Sequence, residues 1–481
     1  MKFSKLCFFA FLFSACTCVA QMYTVTDLRT LGGSWSEATS INAFGQVVGV
    51  SQAIDKLQGP LPHAFRTAPE RPINPSTDDL VPGTCVDLGT DICVASALGI
   101  NNGGQVVGTL HYLGADPAGF RTEANQPISI DTDIIIDKLF DPYAYGINNL
   151  GQVVGADVNS AFLLSASSIS DWLDLGPHSI ADALNDLGQS VGQSAGHAFR
   201  TAPNAPINLA TDDLGTLGGS FSEATSINAF GQVVGWADIS GDASFHPFRT
   251  APKHPINPAT DDLGTFGGSM SSATSINNFG QVVGWSYLTG DSVQHAFLYD
   301  GGIMHDLNQI VPRRQIPCPI SGTSEFLQLD NTNFIDGNSP AINDAGQIAA
   351  NVICNGLPHA VRLDPIYKAS VQPPINGDGS SVFNAKRGVL PVKFAVTKYN
   401  TQPSCTLPAT ISLTRASNTG LSVVGESTYA NPADNGSNFR IDSTACQYIY
   451  NLAASSLGVG TYRVDISING IMVGHAVFAL K

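Results

Sequence analysis

Valine pairs framed by glycines recur along this chain, and their recurrence is the strongest signal in it. The phrase Ile41-Asn42-Ala43-Phe44-Gly45-Gln46-Val47-Val48-Gly49 returns from Ile100, Ile147, Leu184, Ile227, Ile276 and Ile342, at intervals of 59, 47, 37, 43, 49 and 66 residues. Each copy places an apolar strand end before Asn-x-x-Gly and a β-branched strand start after it. An asparagine can bond the backbone ahead of it, and glycine accepts the positive φ of a tight turn. Each copy therefore predicts a β-hairpin.

Two more phrases keep the same count. His63-Ala64-Phe65 recurs as Ala118-Gly119-Phe120, Ser160-Ala161-Phe162, His197-Ala198-Phe199, His246-Pro247-Phe248, His295-Ala296-Phe297 and His359-Ala360-Val361. An Asp-Leu phrase stands at Asp27-Leu28, Asp87-Leu88, weakly at Asp137-Lys138-Leu139, then at Asp174, Asp213, Asp262 and Asp306. Two hairpin strands plus one strand at each phrase give four per unit, and a period near 50 residues matches one four-stranded sheet per repeat. The order matters as well. The chain opens on an Asp-Leu strand and ends its repeats on His359 without one, so residues 23–28 complete the last sheet if the array closes on itself. The expected architecture is all-β: a seven-bladed β-propeller closed by its N-terminal strand, with no open edge at the seam.

The His-Ala-Phe phrases resemble the HAF-repeat family of bacterial extracellular proteins over residues 21–365. That resemblance implies an exported repeat protein and supplies no reaction or catalytic residue. After Pro365 the phrases stop. Gly388-Val389-Leu390-Pro391-Val392-Lys393-Phe394 is similar to the signature of the PxKF domain, with Pro391, Lys393 and Phe394 as the matching residues. The alternating runs 461–468 and 476–480 read as strands with one buried face. Residues 366–481 are thus expected to form an immunoglobulin-like β-sandwich.

The first 20 residues read as a signal peptide. Lys2 and Lys5 precede an apolar run from Leu6 to Ala15 that is too short to span a bilayer, and cleavage is expected after Ala20. Lipidation at Cys16 is the competing reading. Beyond the leader, Cys85, Cys93, Cys318, Cys354, Cys405 and Cys446 remain. Six cysteines allow fifteen pairings; proximity favours Cys85–Cys93, Cys318–Cys354 and Cys405–Cys446, disulfides suited to an oxidising compartment. Without Lys2 and Lys5 the bases fall from 23 to 21 against 39 acids, a net charge near −18. Such a surface disfavours nucleic acid and anionic lipid.

Little in the sequence points to a reaction. No pair of cysteines has CxxC spacing, no HExxH or alternating calcium-loop pattern occurs, and no convincing helix is expected that a GxSxG nucleophile elbow could open. No cofactor or metal is expected. Histidines that recur once per unit read as scaffold. Trp35, Phe221 and Met270 occupy one equivalent position after Leu-Gly-Gly-Ser (Phe-Gly-Gly-Ser in one copy) and are the candidate binding residues, expected on an end loop where large apolar groups could meet a glycan or protein. The favoured function is a secreted or cell-surface binding or adhesion scaffold. The alternative is a secreted carbohydrate-active enzyme with carboxylates on the propeller axis.

Overall fold

The computed structural model describes residues 22–55, 59–81, 93–112, 117–129, 132–135, 142–168, 171–311, 340–354, 357–386, 388–399, 402–417, 420–430 and 436–481. The leader, Cys85 and Cys318 lie outside them. Among the described residues the fold is all-β, 56% strand and 3% helix, in small sheets whose strands pair antiparallel apart from one two-residue parallel pair and two isolated parallel bridges.

Residues 22–365 contribute seven of the nine described sheets. In each, the hairpin phrase supplies the first two strands, such as Gly218–Ile227 and Val233–Ile239, and the His-Ala-Phe phrase the third, such as Phe245–Arg249. The fourth position is often reduced to one bridge, as for Phe65 with Asp79, Phe199 with Asp213 and Phe248 with Asp262. The reason is local. Asp213 accepts a hydrogen bond from the Gly215 amide at 2.7 Å, and Gly215 takes φ 72°, so the chain turns away after that single bridge. Two Asp-Leu assignments also move. In the first sheet Asp79 makes this bridge and in the second Ile134–Ile135 pair with the third strand, while the expected Asp87 and Asp137 phrases lie outside the described residues. What sets this register is the residue before the bridge. Asp78 and Asp133 accept from the backbone amides of Asn74 (2.8 Å) and Ser129 (2.7 Å), fixing the turn ahead of the strand.

The strand Tyr23–Asp27 joins the last sheet, pairing antiparallel with Val361–Pro365 from Tyr23↔Pro365 to Asp27↔Val361. Contacts between the first strands also run in a circuit. Gly32–Ile41 touches Cys93–Ile100, each first strand touches the next, and Ala341–Ile342 touches Gly32–Ile41 again.

The glycine of Gln-Val-Val-Gly has a steric cause. A Cβ on Gly49, Gly108, Gly155, Gly192, Gly235 or Gly284 would sit 1.9–2.1 Å from a carbonyl oxygen of the first strand. The seventh copy carries Ala350, in a sheet whose described first strand is only Ala341–Ile342, paired with Ala349 and Ile348.

Residues 367–481 form two five-stranded sheets. The strand Leu390–Lys398 alternates strictly, with Leu390, Val392, Phe394 and Val396 buried. They share a core with Tyr448, Tyr450, Leu452, Tyr462, Val464, Ile466 and Phe478 from both sheets. Cys405 and Cys446 are disulfide-bonded with their Cα atoms 5.2 Å apart. This core continues into the repeat region through Met22, Tyr23, Ile310 and Leu363.

Candidate binding surface

The seven turn asparagines do more than shape their own hairpins. Each is buried. Each Nδ2 donates to the glutamine four residues on, as Asn228 does to Gln232 Oε1 at 2.9 Å, and also to the backbone carbonyl of the next unit's asparagine. Asn42 donates to Asn101, then Asn101 to Asn148, Asn148 to Asn185, Asn185 to Asn228, Asn228 to Asn277 and Asn277 to Asn343. Asn343 donates back to Asn42, and all seven bonds measure 2.9–3.2 Å. The arginine after His-Ala-Phe fastens the same end: Arg66, Arg121, Arg200 and Arg249 donate to the turn-glycine carbonyls of Gly104, Gly151, Gly231 and Gly280 at 2.6–3.1 Å. The turns therefore sit on a rigid, hydrogen-bonded platform.

What this platform displays is apolar. The residue before each turn glycine is Phe44, Gly103, Leu150, Leu187, Phe230, Phe279 or Ala345. Phe44 is 58% exposed, Leu150 61%, Leu187 52% and Phe230 42%. A tight turn ordinarily takes Asn, Asp, Ser or Gly at such a place, and several large apolar groups held at one end of a domain mark an interaction surface. Phe279 is covered by the chain itself: the His475 ring lies 4.3 Å from it and the Arg463 guanidinium 4.7 Å above it. Sequence reasoning missed these residues, taking them for turn filler; an apolar side chain repeated inside a turn phrase was the signal available.

The expected binding residues lie elsewhere. Trp35, Phe221 and Met270 belong to strands, not to a loop, and are half-buried. Each closes a bulge: Gly218 pairs with Ile239 and Ser222 with Ala237, leaving residues 219–221 opposite one residue, and the same shift recurs at 33–35 and 268–270. The glycine opening each bulge takes φ 96–112°, which keeps the strand paired across the irregularity. Phe221 stacks on Trp236 at 5.2 Å. Trp236 meets Phe245 at 4.8 Å, and Phe245 meets Trp285 of the next sheet at 5.8 Å. These rings join neighbouring sheets.

The repeated histidines clasp the outer edge of their own sheets. His63, His197, His246 and His295 place Nδ1 2.9–3.0 Å from the carboxylates of Asp79, Asp213, Asp262 and Asp306. At the seam the equivalent pair is His359 and Asp27. There His359 Nδ1 is buried with no partner among the described residues, and Asp27 accepts from the Arg29 amide.

Two carboxylates on neighbouring first strands interact electrostatically. Asp182 sits in the bulge between Ala181 and Ala183, and Glu223 pairs with Trp236 in the next sheet. Burial, then the nearby Glu223 carboxylate, push the Asp182 carboxyl well above the usual range, and burial raises Glu223 too. Asp182 Oδ2 is shielded from solvent and accepts no hydrogen bond among the described residues. Those residues contain no group of three metal-ligating side chains and no helix long and apolar enough to cross a membrane.

No protein-family model matches the chain, and no curated protein matches it. Among solved structures, a Trypanosoma rangeli sialidase in complex with 2,3-difluorosialic acid aligns over 93% of this chain and 88% of its own, at 10% identity and TM-score 0.31. The N-terminal domain of Nup159 aligns over 80% and 89%, at 9% identity and TM-score 0.18. Likenesses this slight bear on neither fold family nor activity.

Proposed function

We propose that this chain is an exported, non-catalytic binding protein of the HAF-repeat kind. In this reading seven blades form a β-propeller closed by the N-terminal strand, a PxKF-like immunoglobulin sandwich follows it and borders one side of the turn face, and the rest of that face meets an extracellular glycan or protein. The circuit of seven asparagine bonds supports the blade count, and the pairing of Tyr23–Asp27 with Val361–Pro365 supports the closure. The observation that carries the function is the set of exposed Phe44, Leu150, Leu187 and Phe230 on a hydrogen-bonded platform. Secretion rests on the leader and the cysteines of the sequence. The experiment is binding of the processed chain to cell surfaces, beside a variant with all four residues changed to serine. The reading expects binding by the parent and loss in the variant; equal binding by both would sink it.

A carbohydrate-active enzyme is the second reading, favoured by the interacting Asp182 and Glu223 carboxyls, both raised by burial. It expects turnover of a glycoside substrate that Asp182→Asn and Glu223→Gln each abolish. A fully inactive parent across α- and β-linked substrates removes it.

A further inference from the structure

A cleft of about 910 Å³ opens where the turn face meets the C-terminal unit. Its walls carry Phe44, Glu70 and Asp344 from the repeat region and Lys368, Ser370 and His475 from the C-terminal sheets. Binding sites favour such junctions between folded units. We propose that this cleft is a binding site for a neutral oligosaccharide stacked on the ring of Phe44. The proposal rests on the reading of the turn face as a binding face and names its ligand.

The chemistry of the walls narrows the choice. Phe44 offers an exposed ring on a fixed base, since its amide donates to Asn42 Oδ1 at 3.0 Å inside the asparagine circuit. Flat aromatic surfaces accept the C–H faces of sugars. The charges nearby largely cancel. Arg362 is taken up by Asp364, with Nε–Oδ1 at 2.8 Å and Nη2–Oδ2 at 3.1 Å. What is left is Glu70 and Asp344 against Lys368, and no surplus of cations that would hold a phosphate, a sulfate or an acidic sugar. Nor is the cleft an apolar tunnel for an acyl chain, because carboxylates, an ammonium, a hydroxyl and an imidazole line it together with its apolar residues. Acceptors and donors in that mixture suit a ligand rich in hydroxyl groups. The opposite half of the turn face, with Leu187 and Phe230, lies outside the cleft and provides an internal control.

The full processed chain is titrated calorimetrically with cellohexaose, laminarihexaose, xylohexaose, mannohexaose and chitohexaose, beside a sulfated and a sialylated oligosaccharide. At least one neutral hexasaccharide is expected to bind. Phe44→Ala should weaken it tenfold or more, His475→Ala severalfold, and the pair Leu187→Ser/Phe230→Ser less than twofold. Circular dichroism checks that each variant keeps the parental strand signal. Binding confined to the charged sugars, or no binding at all, overturns the inference and leaves the cell-binding test of the turn face standing. A loss in Leu187→Ser/Phe230→Ser with Phe44→Ala unaffected overturns the cleft but supports the face.

Discussion

Replacing Asn228 with alanine removes four hydrogen bonds from a site only 4% exposed. The side-chain oxygen accepts from the Phe230 and Gln232 amides, both at 3.0 Å, and Nδ2 donates to Gln232 Oε1 at 2.9 Å and to the Asn277 carbonyl at 3.1 Å. Alanine restores none of these. Each lost bond costs about 1 kcal/mol, and groups left buried without a partner cost more, so the expected destabilisation is about 4 kcal/mol. That is large for a single substitution. Asn102 is the control, because it is exposed and its oxygen accepts one bond, from the Ala43 amide at 2.9 Å; Asn102→Ala should cost about 1 kcal/mol or less. The assay is urea unfolding followed by tryptophan fluorescence. All four tryptophans (Trp35, Trp172, Trp236 and Trp285) precede residue 366, so the signal reports the repeat region alone. If Asn228→Ala costs no more than Asn102→Ala, the circuit is not what holds neighbouring sheets together.

Gly235→Ala would place a methyl 1.9 Å from the Glu223 carbonyl. It should lower the unfolding free energy in the same assay by about 3 kcal/mol or more; an unchanged transition would refute the steric argument. Asp182 titrates in a fixed direction: its folded pKa lies above the unfolded value, so the native state holds the extra proton and stability falls as pH rises through that interval. Asp182→Asn should therefore stabilise the chain at pH 7 and leave the midpoint unchanged near pH 3; the opposite pH order would refute the burial argument. The Cys405–Cys446 bond spans 41 residues, and opening a loop of that size costs roughly 4 kcal/mol. Changing both cysteines to serine should lower the melting of the C-terminal unit by calorimetry and leave the tryptophan transition in place.

The hairpins were readable because their information is local. Asn-x-x-Gly-Gln is a turn whose asparagine bonds its own backbone, and the Val-Val-Gly that follows fits one geometry. The strand at Tyr23 was readable from order alone, as a phrase without its partner. Harder to read was anything decided between units. The second bond of each asparagine goes to a carbonyl 37 to 66 residues away, or 301 at the seam, and leaves no mark beyond the asparagine itself. Asp79, which bridges Phe65, was passed over in the sequence for the like-looking Asp87; the Asp78 cap on the turn before it is a contact between residues four apart. Trp35, Phe221 and Met270 looked like loop residues because Gly-Gly-Ser precedes them, but a bulge lets the strand run through those glycines. Phe44, Leu150, Leu187 and Phe230 were hidden inside the most conspicuous motif of the chain, whose turn explained every residue except the apolar one.

Closure of the ring is the central claim, and a disulfide across its seam tests it most directly. Thr24 and Asp364 face one another in the antiparallel pairing and are half-buried, within reach of an unstrained bridge. In Thr24→Cys/Asp364→Cys, oxidised and digested without reductant, mass spectrometry should find the two flanking peptides linked in nearly every molecule. Asp238→Cys/Phe245→Cys, paired within a single sheet, serves as the positive control. Efficient linkage in the control, together with freely alkylated thiols at both seam positions and no linked peptide between them, would contradict the closed ring.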